Sequence, residues 1–247
     1  MDNDKIMFDL PWVKTALSAP FSASDVLFKP VTASPRNRDW RTNAKVADPE
    51  DWAYAEGYRL AGRILANYII EGQRESYIVF PIVFQYRHCV ELQFKHLIPN
   101  GAFLLDRALP EQDRKLLMTS HRLDQLWRIL RPILKDTAEV ERGCILAIDS
   151  YIRQLHKMDQ ASFAFRYSTT VTGAPSIAKD KLTYINIGVF ASCMERMTGY
   201  LSGLGEIFSE SVQSKCEMEE EACAEYAEYM NSFEPEHLEP EYEDYGE

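Results

Sequence analysis

The stretch FPIVFQYRHCVELQFKHLI, residues 80–98, decides the reading of the fold. Its early turns are apolar all round, because Ile78, Val79, Phe80, Ile82, Val83 and Phe84 cover every sector of a helical wheel. A helix of that kind belongs at the centre of a bundle. Yet Arg87, His88 and Glu91 stand in its middle. On the wheel Arg87, His88, Glu91 and Lys95 fall within about 80° to 100° of one another, in the sector of Phe80, Phe84 and Ile98. Burying an unpaired charge costs several kcal/mol, so these side chains require partners. Arg87 and Glu91 are four apart and can pair with each other. His121, Asp124 and Arg166, the other polar residues placed beside apolar stripes, are candidates to complete the network.

The flanking segments read as helices too. Asp48 as N-cap, Pro49 in the first helical position and Glu50 and Asp51 in the first turn open a helix that Gly72 stops. Within it Ala53, Gly57 and Ala61 form a small-residue stripe, expected to pack against the helix at about Glu75 to Ile98. A break, PNGAFLLDRALP, leads to a short helix near Glu111 to Met118. Thr119 or Ser120 caps the next, HRLDQLWRILRPIL, which shows an apolar stripe at spacings of three and four. Asp136 or Thr137 starts another, to about Lys157, with Asp136 and Glu139 in capping-box register. After MDQASFAFRYSTTVTGAPS, with an extended segment Phe163–Tyr167, a last helix is expected from Lys181 to Phe208, interrupted where its glycines cluster.

These elements predict an all-α protein, an antiparallel up-and-down helical bundle. An irregular arm occupies residues 1–46, the bundle 47–210 and an acidic helical or low-complexity tail 211–247. In the arm, RNRDWRTNAK places Arg36, Arg38, Arg41 and Lys45 around Trp40, either a phosphate-contacting patch or a solvated arm pinned by one ring. No run of about 18 apolar residues appears and the N-terminus lacks a basic flank, so no membrane span is expected and the location reads as cytoplasmic. The five cysteines form no CxxC pair, which argues against a disulfide framework and a zinc site. Neither a metal nor a cofactor is implied.

Charge is unevenly placed. Residues 217–247 hold 13 of the 38 acidic residues and none of the 27 basic ones, leaving 25 acids against 27 bases, a net +2, in residues 1–216. The tail, with Tyr226, Tyr229, Tyr242 and Tyr245, reads as a solubilising segment or as a mimic of nucleic acid that engages a basic partner.

No glycine-rich phosphate loop, HExxH or GxSxG occurs, which disfavours P-loop hydrolysis, zinc proteolysis and α/β-hydrolase chemistry. The polar cluster instead reads as a structural core that sets helix register or as a phosphate or nucleotide site. In the second case Arg87 and Arg166 bind phosphate, and His88 or His121 moves protons. Glu91, Lys95, Asp124 and Tyr167 complete the candidate RNA- or nucleotide-binding set.

Together, FPIVFQYRHCVELQFKHLI, SHRLDQLW and MDQASFAFRYSTTVTG before a final long helix resemble bacterial proteins of HEPN type (higher eukaryote and prokaryote nucleotide-binding). The resemblance covers about Asp51 to Leu204. It implies a helical bundle, commonly a homodimer, in toxin–antitoxin and phage-defence systems. Active members are metal-independent ribonucleases in which an Arg, often followed by a polar residue, is followed by a His after four to six intervening positions. Arg87 and His88 match the opening of that motif, but Leu92, Gln93 and Phe94 stand where the closing His belongs, and the next is His96. Arg114 and His121 match the spacing across a predicted helix break. The resemblance therefore implies RNA, nucleotide or partner binding with a degenerate nuclease motif, and as its alternative an active ribonuclease using Arg87, His88 and His121.

Overall fold

The structure, a computed structural model, describes residues 22, 51–72, 76–137, 140–160, 162–177 and 182–232. The protein is all-α, with six helices among the described residues: α1 (Asp51–Ile70), α2 (Val79–Leu104, entered through a 3-10 turn at Ser76–Ile78), α3 (Glu111–Thr119), α4 (Leu123–Thr137), α5 (Arg142–Met158) and α6 (Ile187–Ser232). None of them is long and apolar enough to cross a membrane. The Trp40 patch and the cap at Asp48 lie outside the described residues.

α2 is the hub. Ile82, Val83, Val90, Phe94, Leu97 and Ile98 are buried along it, and α1, α4 and α6 pack on it from three directions. Its first turn is less enclosed than the wheel predicts, because Phe80 is 46% exposed. Gly62 meets Tyr86 and Tyr58 meets His88, so α1 runs opposite to α2. Tyr86 contacts Glu195, Gln93 contacts Thr198 and Ser202, and His96 contacts Ser209, so α6 runs with it. The pairing of Phe94 with Trp127, and of Gly101 with Ile133, gives α4 the same direction as α2. The intervening α3 makes that possible by turning the chain back, so the helices do not alternate in the antiparallel up-and-down order the sequence predicts: α2, α4 and α6 run the same way.

Several boundaries differ from the sequence reading, and packing is the reason. α2 continues through Pro99 to Leu104. There Gly101 admits two neighbouring helices: an added Cβ would lie 2.8 Å from Phe208 Cε2 and press on Ile133. The expected stop at PNG is thus a three-helix crossing, where tertiary contact outweighs the local cost of Pro and Gly. The small residues buried on α1 are Ala55, Gly62 and Ala66, while Ala53 and Gly57 are exposed. Asp136 and Thr137 close α4 instead of opening α5, and Glu141 stands at the α5 N-cap.

Residues 163–167 form a turn, not an extended segment, since Arg166 and Tyr167 both donate backbone N–H bonds to the Phe163 carbonyl. α6 begins at Ile187, with Asn186 Oδ1 capping the Val189 N–H at 3.0 Å. It then runs unbroken past its glycines and through residues 211–232. From Glu217 onward every residue of it is exposed.

Candidate functional site

Arg87 and Glu91 are each only 1% exposed, so the sequence's question about charges in an apolar helix has a structural answer. Arg87 Nη1 lies 3.6 Å from Glu91 Oε2, and Nε lies 3.4 Å from Asp159 Oδ2. Nη2 donates to the His121 carbonyl at 2.7 Å and reaches the Asp159 carbonyl at 3.5 Å. Burial pulls the Arg87 pKa down, against the opposing charges of Asp159 and Glu91. The guanidinium is enclosed between α2, the turn before α4 and the end of α5. It does not face solvent, so the direct phosphate contact expected of it has no open path.

Glu91 gathers donors from two elements. Lys95 Nζ lies 2.9 Å and His121 Nδ1 2.8 Å from Oε1, and His88 Nδ1 stands 3.9 Å from Oε2. Burial alone would raise its pKa; the neighbouring His88 and the hydrogen bonds from Lys95 and His121 outweigh that and bring it to about 2. A carboxylate only accepts, so Nδ1 of His121 carries the N–H and Nε2 faces outward as a proton acceptor in the neutral ring. The His121 side chain is 58% exposed. This dyad joins a buried carboxylate to an accessible base.

Asp124 pairs with Arg122 at 2.9 Å and with His156 at 3.1 Å. Against the burial that raises its pKa, Arg122 and His156 bring it below the usual value. His88 is held between rings, edge-on to Tyr58 at 4.4 Å and stacked on Phe84 at 5.6 Å. Arg166 lies over Phe84 and Tyr167, 5.5 and 5.6 Å from their centroids, and its Nε donates to the Ser162 carbonyl. His96, nine residues past Arg87 and so about 180° round the helix, contacts Asn100 and Ser209 on the α6 side. Arg114 is exposed on α3 and makes no hydrogen bond to His121 among the described residues. Neither residue forms an Arg–His pair with its sequence-spaced partner.

Two features escaped the sequence reading. Asp159 is buried, and besides meeting Arg87 it accepts the Phe163 and Ala164 N–H groups at 2.7 and 3.0 Å, capping the 163–167 turn. An Asp just past a helix end and four residues before an aromatic is the signal that marked it. The second is on the other side of α2, where Glu195 accepts from Tyr86 Oη at 2.8 Å, Arg59 at 3.1 Å and Arg63 at 3.0 Å. Burial and the bond to Glu195 raise the Tyr86 pKa. The cysteines are free, and burial pushes the Cys89 thiol up to about 12. At Cys193 the Tyr151 hydroxyl and Arg196 lower the thiol's pKa.

No protein-family model, curated protein or solved structure matches the chain.

Proposed function

We propose that this chain is a HEPN-like helical component of a bacterial toxin–antitoxin or phage-defence system. It binds RNA or a nucleotide through a site whose nuclease motif is degenerate. The observation that carries this reading is the enclosure of Arg87: at 1% exposure, with its nitrogens turned to Glu91, Asp159 and two carbonyls, it stabilises no charge on a substrate phosphorus. The three segments that carry the family resemblance also meet at this one point, α2 through Arg87 and Glu91, SHRLDQLW through His121, and MDQASFAFRYSTTVTG through Asp159. The exposed groups around it, His121, Arg122, Arg166 and Tyr167, with the half-buried Lys95, form a basic and aromatic rim suited to phosphate and base contact. Homodimerisation belongs to the same proposal.

The Glu91–His121 dyad favours a second reading, a metal-independent ribonuclease. In it His121 Nε2 takes the proton of a 2′-hydroxyl, the 2′-oxygen attacks phosphorus and the 5′-oxygen leaves with a proton that the His121 imidazolium returns through water, while Lys95 offsets the developing charge. The test is incubation of the purified chain with single-stranded RNA in chelator, followed on gels and by binding titration. Binding without cleavage is the expected result. Cleavage that His121→Ala abolishes, with the helical signal and melting unchanged, replaces the first reading by the second. His121 suits this test because it is exposed, whereas removing Arg87 disturbs the fold itself.

A further inference from the structure

A groove of about 460 Å³ lies between the start of α2 and the segment that follows the 163–167 turn, lined by Phe80, Arg166, Tyr167, Ser168 and Ser176 among others and, among the described residues, by no carboxylate. Phe80 and Tyr167 are 46% and 52% exposed, so both offer ring surface to a ligand. Arg166 is set in place before any ligand arrives. Its guanidinium lies over Phe84 and Tyr167, and its Nε is engaged by the Ser162 carbonyl. Both terminal nitrogens remain without a hydrogen bond among the described residues, a fork of the geometry that binds phosphate in bidentate fashion. Ser176 Oγ is buried and has no partner among the described residues.

The support beneath Arg166 reaches into the core. Ser162 has φ +59, a left-handed conformation that a non-glycine residue rarely adopts. Asp159 holds the next two N–H groups, and Arg87 holds Asp159. Arg87 is on this view a positioning residue, joined to the ligand only through Asp159, the turn and Arg166.

We infer that this groove binds one unstacked nucleotide, with its phosphate on the Arg166 fork and its base against Phe80 and Tyr167. This rests on the RNA- and nucleotide-binding reading above and gives it a location. The volume suits one ring with its sugar and phosphate, and ring stacking together with a single cation favours an aromatic anion over either part alone. A free mononucleotide and one residue of a single strand present the same chemistry.

Isothermal titration of the full chain with 5′-AMP, adenosine, inorganic phosphate and a ten-nucleotide single-stranded RNA tests the inference. Arg166→Ala is expected to weaken AMP or RNA binding about tenfold or more, as loss of a charge-assisted pair implies, and Arg166→Lys to restore it only in part. Tyr167→Leu is expected to weaken binding of base-bearing probes by about fivefold or more and to leave phosphate binding unchanged. Both variants must keep the wild-type melting temperature; Arg166→Lys is the second probe if Arg166→Ala does not. AMP bound more tightly than RNA assigns the site to free nucleotide, and the reverse assigns it to a strand. Unchanged affinity for both probes in Arg166→Ala and Tyr167→Leu overturns this site and leaves the broader reading standing. If wild-type protein binds neither AMP nor RNA, both fall.

Discussion

Two carboxylates on opposite sides of the same helical layer, Glu91 and Glu195, each collect three or more donors. Glu91 is almost wholly buried, whereas Glu195 retains about a quarter of its side-chain surface, at 26%. Around Glu91 the donors come from α2 itself and from the turn before α4, and one of them, His121, is open to solvent. Around Glu195 the donors are Arg59 and Arg63 on α1 and Tyr86 on α2, so the carboxylate joins three helices. The difference teaches that similar hydrogen-bond inventories carry different energies. With little water available, loss of one partner at Glu91 leaves an uncompensated buried charge, while solvent takes up the slack at Glu195.

The sharpest way to break this comparison is Arg87→Leu. It strands Asp159 and removes one ion pair from Glu91 inside the core, so a loss of about 3–5 kcal/mol is expected, read from the urea midpoint and slope by circular dichroism. A loss below about 1 kcal/mol would show that the cluster is hydrated and would remove the basis for contrasting the two sites.

Acid is the next largest lever. The folded state holds the Glu91 carboxyl at about 2, below its ordinary 4.5. A depressed pKa gives stability that is complete above 4.5 and is lost as pH falls toward 2; here it amounts to about 3 kcal/mol at neutrality. Urea midpoints of the wild type should therefore fall steadily from pH 5 to pH 3. Those of Glu91→Gln should fall less steeply, and parallel slopes in the two proteins would refute the assignment.

At the weaker site, Glu195→Gln keeps an acceptor for the Tyr86 hydroxyl and removes only the charge facing Arg59 and Arg63. The expected cost is about 0.5–1 kcal/mol, because these pairs are partly solvated. It should shrink further at 1 M salt, where screening acts within about 3 Å. A loss equal to that at Arg87 would mean that accessibility does not separate the two clusters.

Only one of these sites was legible in the sequence. Arg87 and Glu91 stand out because they interrupt an apolar helix, and a charge in such a run requires a mate. Arg59, Arg63 and Glu195 carry no such mark: each reads as the polar face of an ordinary amphipathic helix until three helices come together. Asp159 was hidden similarly, since its role is to cap a turn that the sequence presented as an extended segment. The helix ends that were misplaced, at Pro99 and around Asp136, are positions where contacts between helices override local preference. His96 shows the converse, because its sequence distance from Arg87 already placed it on the opposite face.

The smallest effect is expected where the carboxylates have no comparable donors. Beyond Lys215, whose ammonium reaches the Phe103 carbonyl and Asp106 near the end of α2, α6 leaves the body, and Glu219, Glu220, Glu221, Glu225 and Glu228 are exposed. A chain ending at Lys215 keeps that last anchor. Its unfolding free energy should stay within about 0.5 kcal/mol of the full chain, although its helical signal falls by the share that residues 216–232 supply. Removal of 13 acidic residues takes the net charge from −11 to +2. Affinity for single-stranded RNA should therefore rise at low salt and converge with that of the full chain near physiological ionic strength, where the screening length is about 8 Å. A truncated chain that is markedly less stable would mean that the outer part of α6 folds back on the bundle. Unchanged RNA affinity at low salt would mean that its charge does not reach the binding face.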